Sequence, residues 1–451
     1  MHSTNATTML TAMNTGLTTA TRILLLGWAL GTTTCGGLAE GPTSRAGGDG
    51  PNDLTDEVSL LTAGSAVINV RSLGATGNGT SDDTTAVQTA LNRVRAAGGG
   101  TVYFPPGLYR ITRTISVAAV SDVDIRGEGR SSTILWATNA DLFRFTGYFR
   151  QTTVQNLTIN AVTTIQKDRF AFRCVGGAER ALFDNLLFRA EAGASTFPSG
   201  ISLGDPADST TIRDTQMWTI AGKGVEMGAG SEVRIVGGRI IGYRPATPNG
   251  SIGLHLLGNN GGVHVDGIDL IGLQYGILTE NLAGRGSNRE LFIRQATLDG
   301  CWRGLSVMDS TYVNVAGLWA ASCSQENIYV GFGGPTLVLS GGTIFNAGAI
   351  KVTDPGYGAH GMTVNSGTFM LSGVAIRNNY NPTTNPRGRG LFVPNSNAVN
   401  YTVTGCQITD NGQGVEAATG GRGVFVGNVI ARNPIASRFA PGSVLSANMS
   451  F

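Results

Sequence analysis

Apolar residues along this chain fall into two patterns. One is a single helical stretch, "SDDTTAVQTALNRVRAAG", where Val87, Leu91, Val94 and Ala97 recur at helical spacing. Ser81 suits an N-cap, Asp82 and Asp83 suit a first turn, and Gly98 suits a stop. Strand-like "TVYF" and "LYRI" follow, separated by the turn Pro105-Pro106-Gly107. The second pattern fills the rest of the chain. It reads apolar, any, Asn/Asp/Gly, any, any, apolar, first as VQNLTI at 154, then FDNLLF at 183, and last as FVGNVI at 425.

Successive copies lie 22 to 32 residues apart, too short and too rich in β-branched residues for paired helices. Asn, Asp and Gly tolerate the left-handed backbone, so each copy predicts a corner between two strands. Gln295 is the exception at that position. Between corners comes another strand, as in Gly200-Ile-Ser-Leu, Gly224-Val-Glu-Met, Gly253-Leu-His-Leu, Gly304-Leu-Ser-Val, Asn327-Ile-Tyr-Val and Ala349-Ile-Lys-Val. Its alternate apolar residues point inward and the residue between them points out. Stacked, these strands form an all-β, single-stranded right-handed parallel β-helix of three parallel sheets and about 11–12 turns, headed by a short capping helix. Residues 66–115 make the cap and opening strands and residues 116–451 the coil.

Composition agrees with many tight turns, since 66 of 451 residues are glycine. A net charge of +2 supplies no field for nucleic acid. The five cysteines form no metal-binding spacing, so free thiols are expected and no cofactor or metal is implied. Cys301 and Cys323 fall on successive turns, which allows a disulfide-compatible distance, although a ladder of small buried residues is the commoner outcome. Residues 1–65 read as an N-terminal signal, anchor or linker. The apolar run in "TRILLLGWALGTTTCGG" resembles a weak signal peptide, is too short to span a membrane, and lacks the small-residue pattern of a lipoprotein around Cys35.

"INVRSLGATGNGTSDDTTAVQTALNRVRAAGGGTVYFPPGLYRI", residues 68 to 111, resembles the opening module of the pectate-lyase-like superfamily. That group includes polygalacturonase-related polysaccharide hydrolases and lyases and phage tailspikes. The resemblance implies a β-helix whose helix plugs the open first turn, acting on or binding a polysaccharide. The Asn-Thr-Asp, Asp-Asp, Gly-His-Gly and Arg-Ile-Lys sets of polygalacturonases are not intact. Ala359-His360-Gly361 matches only the latter part of one. The acidic calcium cluster of pectate lyases is also missing, so a pectin substrate is not supported.

Candidate chemistry therefore comes from the outward column: Ser202, Glu226, His255, Leu278, Ser306, Tyr329, Lys351, Phe392 and Glu416. Glu226, His255, Glu280 and Asp309 form the candidate catalytic set, because one carboxyl group can protonate a glycosidic oxygen while a second carboxylate activates water or attacks directly. Solubility alone also accounts for outward acids. Trp302, Arg303, Tyr329 and Lys351 are candidate substrate-binding residues, and the segments 243–251, 281–290 and 378–389 are candidate groove walls. Three functions remain open. They are a tailspike-like protein that binds, or binds and cleaves, host surface polysaccharide; a secreted polysaccharide hydrolase or lyase; and a non-catalytic adhesive β-helix. The first implies a homotrimer in a virion tail or baseplate, the second an extracellular enzyme.

Overall fold

The computed structural model describes residues 66–450, apart from residues 192, 244–248, 350–356, 395–398 and 418–421. The signal, anchor or linker reading of residues 1–65, and Cys35 with it, lies outside the described residues. So do Lys351 and the tip of the segment at 243–251.

The described chain is a right-handed parallel β-helix. Its strands pair in parallel in three sheets, of 26, 12 and 6 strands among the described residues, with each strand bonded to its counterpart one turn away. The largest sheet bends at the corner residues. Every corner identified from the repeat is left-handed, from Asn156 (φ 53°) through Asn185 (48°), Asp214 (48°) and Gly237 (64°) to Gly427 (64°). Gln295 is left-handed too, at 48°. The corners stack, so that Gly237 N–H donates to the Asp266 carbonyl beside Gly267, and the Asn185 amide donates to Asn156 Oδ1 at 2.7 Å.

Glycine in the inter-corner strands has a separate cause. A Cβ on Gly200 would stand 2.6 Å from Met217 Sδ, and one on Gly224 2.7 Å from Ile240 Cδ1. Each would also meet the carbonyl oxygen of the glycine one rung on, at 2.5 Å for Gly200 and 2.7 Å for Gly224, so neither position has room for a side chain. Asn327 is the exception, and its amide is accommodated by bonding to the Phe345 carbonyl and to Asn379. Inside the coil, apolar residues fill the space, with stacked phenylalanines toward the N-terminal end, such as Phe143 and Phe172 at 5.1 Å between ring centres.

The helix α1 (Thr84–Ala96) buries Val87, Leu91 and Val94 against the first turn. Its start differs from the expectation. Ser81 and Asp82 belong to the strand Asn78–Asp82, and Asp83 occupies the N-cap position. Asp83 is drawn away by the preceding turn, where its carboxylate accepts from Thr76 and Gly77 N–H. Asp82 instead accepts from Thr84 N–H. The cap satisfies the open edge directly: Gln88 Oε1 accepts from Ser116 N–H at 2.9 Å and Gln88 Nε2 donates to the Ser116 carbonyl at 3.0 Å. A side-chain amide thus stands where a further strand would pair. Cys174, Cys301, Cys323 and Cys406 are buried free thiols. No helix among the described residues is long and apolar enough to cross a membrane.

Candidate active site on the twelve-stranded sheet

The strands Ser199–Ser202, Lys223–Met227, Ile252–Leu256, Tyr275–Thr279, Arg303–Val307 and Ile328–Val330 are successive rungs of the twelve-stranded sheet. Their register aligns Ser202, Glu226, His255, Leu278, Ser306 and Tyr329 in one outward column. One assignment differs. The rung between Tyr329 and Phe392 is filled by Thr363, from the strand Met362–Val364, and not by Lys351. The sequence Gly361-Met-Thr-Val has the same glycine-apolar-polar-apolar pattern as its neighbours, which makes it the better match to the rung.

Outward does not mean exposed here. Ser202, His255, Leu278, Ser306 and Thr363 are buried beneath longer neighbours. Glu226 and Glu280 stay partly open, with side chains 19% and 29% accessible against 6% for His255. The structure brings these three together. His255 Nε2 lies 2.5 Å from Glu280 Oε1, and Nδ1 faces Glu226 Oε2 at 3.9 Å. His255 Nδ1 is buried without a hydrogen-bond partner. Ser202 Oγ donates to Glu226 Oε1 at 3.3 Å. Glu280 follows its strand directly, and its N–H donates to the Leu256 carbonyl, which sets the carboxylate beside the His255 rung.

Asp309 is not joined to this group. Among the described residues its carboxylate has no bond to His255 or either glutamate, and Oδ1 lies toward the turn at Gly333. Only its backbone is linked, since the Asn288 amide donates to both the Glu280 and Asp309 carbonyls. In the segment after Glu280, Arg285 pairs with Asp205 across three turns, and Arg285 and Gly286 lie against Gly258. The segment at 378–389 is anchored by Asn385, which bonds Ala347 and Ala359.

Two rungs along, Arg303 lies over the rings of Trp302 (4.5 Å) and Tyr329 (3.8 Å), and its Nε donates to Glu326 Oε2 at 2.6 Å. Tyr275 meets Trp302 edge-on at 5.4 Å. Burial raises the Glu326 carboxyl above its ordinary range, against the pull of Arg303. Beyond it, His360 packs between Tyr357 and Phe392, and burial, then Arg389, hold it well below the usual histidine range. Burial pushes the Tyr357 hydroxyl up to about 12. Glu326, His360 and Arg389 were not among the residues expected from sequence. Their signal was present, because each stands three places before the outward residue of its rung, as Arg303 does.

Residues 67–224 match the family model described as Rhamnogalacturonase A/epimerase, pectate lyase-like. The chain carries a pectate-lyase-like domain. Among curated relatives, mannuronan C5-epimerase AlgE6 of Azotobacter vinelandii is 37% identical over 87 residues, 18% of this chain and 10% of that protein. AlgE1 of the same organism is 43% identical over 72 residues, 15% of this chain and 5% of that protein. The chain thus matches a tenth or less of the length of those relatives. Two solved structures share its fold. The tailspike of E. coli bacteriophage HK620, in complex with a hexasaccharide, aligns with TM-score 0.53 at 12% identity over 85% of this chain and 79% of that one. The N-terminal fragment of bacteriophage Phi29 gene product 12 aligns with TM-score 0.51 at 14% identity over 88% and 73%. Glu226, His255 and Glu280 all lie beyond the matched family segment.

Proposed function

We propose that this is a tailspike-like β-helix protein that binds a surface or extracellular polysaccharide along the outer face of the twelve-stranded sheet and cleaves it there. The observation that carries the reading is the His255 ring held between Glu280 and Glu226. Hydrolysis of a glycosidic bond needs one carboxyl group to protonate the leaving oxygen and a second to take a proton from the attacking water. The two partly exposed glutamates supply these groups. Each turnover leaves the donor without its proton and the acceptor with one too many. A histidine with one ring nitrogen toward each carboxylate can return that proton, receiving at one nitrogen and releasing at the other, with its starting tautomer restored by proton exchange with water through the partly accessible glutamates. His255 is buried, so its part is transfer between the glutamates and not contact with the sugar.

The tailspike reading carries a homotrimer with it, placed in a virion tail or baseplate. Its support is the shared fold of the HK620 and Phi29 proteins. A secreted enzyme with the same site would do the same chemistry outside a virion.

The test is incubation of purified protein with capsular, lipopolysaccharide and exopolysaccharide preparations, following viscosity and reducing ends. Falling viscosity with new reducing ends, abolished in Glu280→Gln, supports hydrolysis. Products with a new ultraviolet-absorbing double bond would replace hydrolysis by elimination. Unchanged viscosity throughout would leave an adhesive β-helix. Light scattering of the same sample reads the assembly, and a monomer mass would count against the spike.

A further inference from the structure

The stack around Arg303 has its own chemistry. Its guanidinium is fixed on three sides, by Glu326 at Nε and by the rings of Trp302 and Tyr329. Among the described residues no group accepts from its Nη1 or Nη2, and the side chain remains 16% accessible. Arg389 makes the contrast: its Nε is paired with Glu416, and its Nη1 is engaged by His360 and by the backbone of Tyr357 and Arg387. Arg389 is a strut, whereas Arg303 presents an open fork of donors beside two partly accessible rings. Ser306 Oγ and Glu326 Oε1, both buried here, also lack partners.

We infer that Trp302, Arg303 and Tyr329 form a preorganised subsite for an uncharged pyranose of the glycan, held in place by Glu326. This deepens the proposed function and rests on it for the glycan's presence. The guanidinium's charge is already balanced by Glu326, whose side chain is 0% accessible. A carboxylated sugar would bring a second negative charge to a site where, among the described residues, no free positive one meets it. A neutral sugar asks for what the stack offers: the partly accessible surface of two rings for its C–H groups and N–H donors for its hydroxyl oxygens. Tyr329 lies three rungs from His255, roughly 14 Å along the axis at the spacing of neighbouring strands. The subsite therefore grips the chain a few sugars from the cleavage point, and the glycan runs along the coil.

The experiment is full-length protein on an array of neutral and carboxylated glycans, with binding read separately from any cleavage. Retained glycans are expected to carry a neutral residue at the recognised position. Trp302→Ala should weaken their binding by roughly 3- to 10-fold. Arg303→Ala should weaken it by about tenfold or more. Glu326→Gln keeps an acceptor for Nε but frees the positive charge, so it should raise affinity for carboxylated glycans by about fivefold or more while sparing neutral ones. Circular dichroism and melting confirm that the variants fold. Preference of the wild type for carboxylated glycans, no retained glycan, or equal binding by wild type, Trp302→Ala and Arg303→Ala would overturn the subsite. Catalysis could fail with the subsite intact, because Glu280→Gln should bind the same glycans as wild type.

Discussion

His255 Nε2 and Glu280 Oε1 stand 2.5 Å apart, although the two residues come from different turns of the coil. If this pair returns the proton after each cleavage, the first turnover and the steady state separate. In Glu280→Gln and Glu226→Gln, both should fall by on the order of a hundredfold or more, the scale of a lost general acid or base. His255→Asn should retain most of the first turnover and lose the steady state. Rapid-quench analysis of a labelled oligosaccharide measures both. Equal loss in the two phases for His255→Asn would remove the transfer role.

Gln295 occupies a corner at φ 48° with an exposed side chain, where its counterparts are Gly, Asn or Asp. A left-handed conformation costs an ordinary L-residue about 1–2 kcal/mol, part of which glycine returns through its freer unfolded chain. Gln295→Gly should therefore stabilise the coil by up to about 1 kcal/mol. Asn185→Ala should destabilise it by a similar amount and also break the amide bond to Asn156. Chemical denaturation of the three proteins gives the comparison.

His360 sets an acid limit. Arg389 N–H donates to His360 Nδ1 at 3.3 Å, the Arg389 guanidinium lies 3.2 Å from Nε2, and the ring is buried beside Tyr357 and Phe392. All of this favours the neutral ring, so its folded value is depressed below the unfolded value of 6.5. The associated stability is complete above 6.5 and is lost as pH falls from there toward the folded value, because the unfolded chain takes up the proton first. The melting temperature should decline below pH 6.5, and His360→Gln should flatten the decline. An identical pH profile in the variant would assign the acid sensitivity elsewhere.

Gln88 closes the first rung with two hydrogen bonds to Ser116. Gln88→Ala should cost about 1–2 kcal/mol and speed hydrogen exchange at the Ser116 amide, with little change in amides of later turns. Exchange mass spectrometry localises the effect.

The glutamate-histidine group shows how far sequence reasoning reaches in a repeat fold. Corner residues at a regular interval determine the coil, because left-handed backbone is tolerated at low cost by only a few residue types and each copy must stack on the last. The same regularity puts Glu226 and His255 in neighbouring places of one column. It did not hold at Lys351, where the chain between two rungs is long and two stretches, Ala349-Ile-Lys-Val and Gly361-Met-Thr-Val, both fit the pattern; pairing with the neighbouring strands selects the second. The start of α1 likewise differs from the local pattern, since Asp83 serves a turn that local sequence does not reveal. Side-chain direction was beyond reach. Glu280 and Asp309 each follow their strands on adjacent turns, yet one carboxylate meets His255 and the other turns toward Gly333. That difference, the burial of an outward column, and the enclosure of Arg303 between Glu326 and two rings depend on long side chains packing across rungs. Periodicity fixes which residues are neighbours, and only packing in three dimensions decides which of them touch.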